Sequence, residues 1–127
     1  MTTKTILIAD DSATMRAMLV SVVESLGDYH IVEASSGFDA LRFLPRGHID
    51  LILTDINMPD INGLELISYL RKNPNYKDIP VFIISSEGSA KDVEKGKQLG
   101  ADEYVVKPFS PEALKLLINQ YVGKSDE

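Results

Sequence analysis

Five short apolar runs, each closed by polar residues, alternate along the chain with stretches whose apolar residues recur at helical spacing. Thr5-Ile6-Leu7-Ile8-Ala9 is predicted as a first strand, closed by Asp10-Asp11-Ser12. Ala13 to Leu26 follows as a helix with Met15, Met18/Leu19, Val22 and Leu26 in register, ended by Gly27 as a C-cap. Tyr29 to Ala34 is a second strand, and Ser35-Ser36-Gly37 opens a short helix through Phe38, Leu41 and Leu44, stopped at Pro45. Leu51-Ile52-Leu53 is apolar without alternation, as a strand covered on both faces should be, and it runs straight into Thr54-Asp55. Asn57, Met58-Pro59 and Asn62-Gly63 then make a loop, and Asn62 with Glu65 has the spacing of a capping box.

The second half repeats the pattern. Leu64 to Arg71 is a helix with Leu64, Ile67 and Tyr69/Leu70 inward, and Asn73 to Asp78 is a polar loop. Val81 to Ile84 is a strand ending in Ser85-Ser86, and Ser89 caps a helix over Ala90 to Leu99, closed by Gly100. Glu103 to Val106 is the last strand, ending in Lys107-Pro108. Ser110-Pro111 then starts a final helix to about Val122, beyond which residues 123–127 are expected to fray. Strict alternation of strands and helices means a parallel sheet with helices on both faces, the α/β doubly wound class.

Composition narrows the function classes. The 127 residues suit one domain, 1–127, with its core over about residues 4–122. Thirteen basic against nineteen acidic residues give a net charge of −6, which argues against nucleic acid or an anionic membrane as partner. No apolar run approaches the ~18 residues of a membrane span, and none follows Lys4 as an export signal would require, so the expected setting is the cytoplasm. Cysteine is absent, which removes disulfides, thiolate nucleophiles and Cys-zinc sites together.

The chemistry collects at one edge. In a parallel sheet every strand ends on the same side, and here the ends supply Asp10-Asp11, Asp55, Ser85 and Lys107. Two unit charges ~4 Å apart repel by roughly 4 kcal/mol at an effective dielectric near 20, so three clustered carboxylates need compensation. Lys107 offsets one. A hard divalent cation suits the remainder, because the donors are oxygens without imidazole or thiolate: Mg²⁺, or Mn²⁺. Cation and ammonium together would hold an incoming phosphoryl group while Asp55, central and followed by an open loop, attacks phosphorus in line. Read singly, Asp10 and Asp11 serve equally as helix caps, Ser85 as a strand-end hydroxyl, Tyr104 as packing and Lys107 as a turn residue. His30 and His48 receive no role.

Asp10-Asp11-Ser12, Asp55-Ile56-Asn57-Met58-Pro59, Ser85 and Tyr104-Val105-Val106-Lys107-Pro108-Phe109 together resemble the receiver domains of two-component response regulators, with the nearest likeness to single-domain chemotaxis regulators of the CheY type. The resemblance spans about residues 4 to 122. It implies a flavodoxin-like (βα)5 fold with strand order 2-1-3-4-5, an order carried over from the family. It implies that Asp55 is the phosphoacceptor for a histidine kinase. Asp11, Asp55 and the Asn57 backbone carbonyl would be Mg²⁺ ligands, with Asp10 acting through water, and Lys107 would bind the phosphoryl group beside a cis Lys107–Pro108 bond. Ser85 becomes the switch hydroxyl and Tyr104 the aromatic that turns inward. Val106 and Phe109 join the output face, and Asn57 with Glu87 tunes self-dephosphorylation.

Such a chain is a regulator, not an enzyme, although it carries its own phosphorylation and dephosphorylation chemistry. It is expected to act as a monomer and to signal through a noncovalent partner on the Ala90–Leu99, Tyr104 and Phe109 face. Two features depart from the usual pattern: Ser85 where Thr is commoner, and a polar Ala90–Leu99 helix carrying the helix-weakening Gly96. Chemotaxis is the first expectation, and a phosphorelay intermediate or adaptor elsewhere the second. A flavodoxin-like small-molecule module would need a phosphate cradle where Asp10-Asp11 stands, and an aspartyl phosphatase would need a separate general acid.

Overall fold

A computed structural model describes residues 3–123. The predicted fraying of 124–127 lies outside the described residues. Five parallel strands, β1 (Thr5–Ala9), β2 (His30–Ala34), β3 (Leu51–Thr54), β4 (Val81–Ser85) and β5 (Glu103–Val106), form one sheet in the order β2-β1-β3-β4-β5. The helices between and after them are α1 (Ala13–Glu24), α2 (Gly37–Phe43), α3 (Gly63–Lys72), α4 (Ala90–Leu99) and α5 (Pro111–Val122). This is the flavodoxin-like α/β arrangement that the resemblance implied. The carboxyl ends of β1 and β3 lie level, with Ala9 beside Thr54.

Alternate side chains of each central strand feed two separate cores. Leu7, Ala9, Ile52, Val81 and Ile83 pack beneath α2 and α3 with Ala40, Leu66, Ile67 and Leu70. Ile6, Ile8, Leu51, Leu53, Phe82 and Ile84 pack under α1 and α5 with Leu19, Val23, Leu114 and Ile118. Burial on both faces is why these strands are apolar without alternation. Among the described residues no helix is long and apolar enough to cross a membrane.

Several local expectations are corrected. Helix α1 stops at Glu24 because Ser25 caps it, its backbone N–H on the Ser21 carbonyl and its hydroxyl donating to the Val22 carbonyl at 2.7 Å. Gly27 turns the chain two residues later at φ +151°. Pro45 does not halt the chain's coiling, because it enters a 3₁₀ turn over Leu44–Arg46, where no N–H is required of it. Strand β2 starts at His30, one residue after Tyr29. Met18, Phe38 and Tyr69 are exposed, and Leu19, Ala40 and Leu66 take the inward places. The Asn62–Glu65 capping box is present with both of its bonds.

Two glycines permit close approaches that matter to the site. A Cβ on Gly63 would lie 2.1 Å from the Asp55 carbonyl oxygen, so α3 can begin directly against the β3 end only with Gly there. A Cβ on Gly96 would meet Ile83 Cδ1 at 2.8 Å and the Tyr104 ring at 3.0 Å. Gly96 weakens α4 as a helix, yet its missing side chain is what lets α4 sit down on β4 with Tyr104 folded under it.

Candidate phosphoacceptor and cation site

Each acidic side chain of the site is placed by a strand end and then aimed by backbone N–H groups. Asp10 follows β1. Its own N–H bonds the Ala34 carbonyl of β2 at 3.0 Å, and its Oδ1 accepts the Ser12 N–H at 2.9 Å. Asp55 follows β3. Its N–H bonds the Ala9 carbonyl at 2.9 Å, and its Oδ1 accepts the Ile56 N–H at 2.7 Å. Both carboxylates therefore have one oxygen engaged locally and the other turned toward the space between the loops.

That second oxygen meets Lys107 in both cases. Lys107 Nζ lies 3.3 Å from Asp10 Oδ2 and 3.5 Å from Asp55 Oδ2. The lysine is carried there by its backbone N–H on the Ser85 carbonyl at 2.8 Å, after which Lys107–Pro108 is cis. Asp11 completes the group: one carboxylate oxygen each from Asp10, Asp11 and Asp55 lies within 4.8 Å of the others. Asp10 is fully buried and Asp11 exposed, so the cluster opens to solvent on one side.

Three carboxylates against one ammonium leave a local formal charge of about −2, concentrated where burial makes charge costly. Asp55 registers the strain. Its carboxyl is pushed above the ordinary range chiefly by burial, with the Asp10 charge adding and Lys107 opposing. The donors are all oxygen, partly open to water and short of positive charge, so the cluster could hold a hard divalent ion.

A second set of contacts converges on Glu87, in the loop after β4. Its backbone N–H donates to the Ser85 hydroxyl at 3.0 Å, and its carboxylate accepts from Asn57 Nδ2 at 2.8 Å. Its carbonyl accepts from the Tyr104 phenol. Burial pushes the Tyr104 hydroxyl above its usual range. One loop residue thus touches the expected switch hydroxyl, the expected switch aromatic and the residue two beyond the expected acceptor.

The remaining predicted residues are spread around this centre. Val106 is exposed at the end of β5 and packs so tightly on Gly88 that a Cβ there would lie 2.6 Å from its Cγ1. Tyr104 packs on the α2–α3 side of the sheet and Phe109 on the α1–α5 side, so the two aromatics flank the sheet from opposite faces.

The sequence reading passed over two residues. Thr54 is buried, and its hydroxyl donates to the Asp55 carbonyl at 2.9 Å. Arg16 donates from Nη1 to the Asp10 carbonyl at 2.7 Å. A polar residue at the last position of an apolar strand could have flagged Thr54, whereas nothing in the sequence separates Arg16 from an ordinary helix-surface cation.

Comparison with known proteins agrees with this geometry. The sequence matches the response regulator receiver domain family over residues 6–119. It is 34% identical over 119 residues to a chemotaxis protein CheY homolog of Campylobacter jejuni, covering 93% of this chain and 92% of that one. It is 36% identical over 110 residues to chemotaxis protein CheY-3 of Vibrio cholerae, covering 87% of this chain and 85% of that one. The crystal structure of Vibrio cholerae CheY4 superposes with a TM-score of 0.86 at 30% identity, over 95% of this chain and 100% of the other. Receiver domains are signalling regulators and not classical enzymes, and this chain, with its acidic cluster, lysine and strand order all in place, belongs to the response regulator receiver domain family.

Proposed function

We propose that the chain, as one receiver domain, is a phosphorylation-activated switch of a two-component system in which Asp55 takes a phosphoryl group from a histidine kinase. The observation that carries this is the position of Lys107 Nζ, within 3.5 Å of both Asp10 and Asp55 in a three-carboxylate cluster that opens to solvent at Asp11. An Asp55 oxygen attacks phosphorus, the P–N bond of the donor phosphohistidine breaks, and the imidazole leaves with the electron pair. Lys107, at the Asp55 Oδ2 side, is placed to hold a phosphoryl oxygen. Asp10, Asp11, Asp55 and the Asn57 backbone carbonyl would hold Mg²⁺, which when bound supplies neutralising charge and a template for the phosphoryl oxygens.

The output follows from Glu87. When the Ser85 hydroxyl turns to the new phosphoryl group, it leaves the Glu87 N–H, and the loop carrying Glu87 is free to re-seat. Asn57 and Tyr104 hold the same residue, so the change reaches the α4 and β5 surface through contacts already in place. Asn57 stands two residues beyond Asp55, and its exposed hydrogen bond to the Glu87 carboxylate supports a role for this pair in setting the phosphoryl lifetime. The likeness to chemotaxis proteins supports a role in chemotaxis, and on this reading the chain acts as a monomer in the cytoplasm. The polar α4 surface, with exposed Lys91, Lys95 and Lys97, supports an output partner of its own, and a phosphorelay adaptor is the second reading.

The test is incubation with phosphoramidate and Mg²⁺. One base-labile phosphoryl group per chain is expected, absent with chelator and absent in a folded Asp55→Asn variant. Continuous release of product without a stoichiometric adduct would indicate a phosphatase, and no adduct at all would refute the switch.

A further inference from the structure

Asp10 leaves β1 at the point where the sheet ladder ends, yet its backbone is held on both sides. Its N–H bonds the Ala34 carbonyl, and its carbonyl accepts from Arg16 Nη1 at 2.7 Å. The same guanidinium reaches from Nε to Glu33 Oε1 at 3.3 Å. Glu33 and Ala34 are consecutive residues of β2, so the edge strand grips Asp10 twice, once directly and once through Arg16. Arg16 stands one turn into α1, its own N–H on the Ser12 carbonyl, and its side chain is only 20% exposed.

We propose that Arg16 is a positioning residue for the cation and phosphoryl site: by bridging the Asp10 carbonyl to Glu33 it holds the Asp10-Asp11-Ser12 segment at the spacing at which its carboxylates meet Asp55. The inference rests on reading that cluster as the binding site. Two different guanidinium nitrogens serve two different elements, which is the planar fork of arginine and cannot be copied by the single nitrogen of lysine. The contact lies behind the ligand set, on the backbone of a ligand-bearing residue, where such supports alter metal affinity by about 10- to 100-fold. It also explains how a loop with two adjacent acids, one buried and one exposed, keeps its geometry against mutual repulsion.

The test compares the full chain with Arg16→Gln, Arg16→Lys and Glu33→Gln, reading Mg²⁺ affinity by calorimetry and amide hydrogen exchange in metal-free protein. Arg16→Gln should weaken Mg²⁺ binding about tenfold. It should also speed exchange of the Ser12 N–H, which bonds Asp10 Oδ1, while the Leu53 and Ile83 amides of the central strands keep their protection. Arg16→Lys should stay as weak as the Gln variant, and Glu33→Gln should show the same change in smaller degree. Recovery of affinity by Lys would mean that only the charge acts, and would overturn the proposal, as would unchanged Ser12 exchange in Arg16→Gln. Loss of protection throughout the sheet would equally overturn it, by showing a general role in folding. If the wild-type chain itself bound no Mg²⁺, the proposed function would fail and the Ser12 exchange would still decide the role of Arg16.

Discussion

Acidic residues stand at both edges of this sheet, and the two edges use them in opposite ways. At the amino edge, Asp50 Oδ2 accepts the Thr5 N–H at 2.8 Å and its Oδ1 lies 3.1 Å from His48 Nε2. Asp102 Oδ2 accepts the Val81 N–H at 2.8 Å and pairs with Arg71 Nη2 at 3.0 Å. Each of these acids takes the first N–H of a strand, β1 or β4, and each has a side-chain partner of its own. At the carboxyl edge Asp10 and Asp55 share one ammonium, and Asp11 is crowded in beside them. An acid with its own partners is a hook that starts a strand; acids sharing too few partners form a site that waits for charge. The stability of the fold should therefore depend on the first pair and the chemistry on the second group.

The largest effect should come from breaking a hook. Asp102→Ala removes the acceptor for the Val81 N–H and leaves the guanidinium of Arg71 short of its counter-charge, while Arg71 still holds the Gly100, Lys77 and Ile79 carbonyls. A loss of about 3 kcal/mol in urea unfolding is expected, because a buried amide and a half-buried cation both lose a partner. Phosphoryl uptake per folded molecule should not change. Equal loss of uptake and stability would erase the distinction between the edges.

Mg²⁺ should produce the next largest change, in the other direction. A ligand that binds the folded state alone stabilises it by about 2.7 kcal/mol at one hundred times its Kd. Thermal or urea unfolding with and without Mg²⁺ should show that gain in the wild type and in Asp102→Ala, and not in Asp11→Asn. Asp50→Ala is the milder hook mutation, because the Thr5 N–H and His48 lie closer to solvent; about 1–2 kcal/mol should be lost, with the Mg²⁺ gain retained.

The same contrast explains how much could be read from the chain alone. The strands of the fold were legible, because burial on both faces leaves apolar runs bounded by polar residues, and β1, β3 and α4 fall where the pattern places them. Asp10, Asp11, Asp55 and Lys107 were legible as one group because a parallel sheet must bring its strand ends to one edge. What escaped depends on contacts between distant segments. Phe38 lies outward because small Gly37 and Ala40 take the buried face of α2, with a Gly37 Cβ only 2.1 Å from the Ile61 carbonyl oxygen. Asp50 and Asp102 become hooks only once β1 and β4 are in place. Glu87 is legible only as a partner of Asn57, whereas two of its three contacts are made by its backbone.

The smallest expected effect has the most telling sign. Asp55 is buried and faces Asp10, and its carboxyl lies above the ordinary range, so the folded chain binds that proton more tightly than the unfolded chain does. Stability from this group is then greatest at low pH and falls as pH rises from the unfolded pKa through the higher folded one. At neutral pH the charge is a net burden, because attraction to Lys107 and repulsion from Asp10 act at similar range and burial decides the balance. Asp55→Asn should raise stability by about 1 kcal/mol at neutral pH, and the gain should shrink toward zero once acid protonates the wild-type carboxyl. Saturating Mg²⁺ should also narrow the gap, since it stabilises the wild type and has lost a carboxylate ligand in the variant. A destabilised Asp55→Asn at neutral pH would mean that Asp55 is held as securely as Asp50 and Asp102, and the two edges of the sheet would no longer differ in kind.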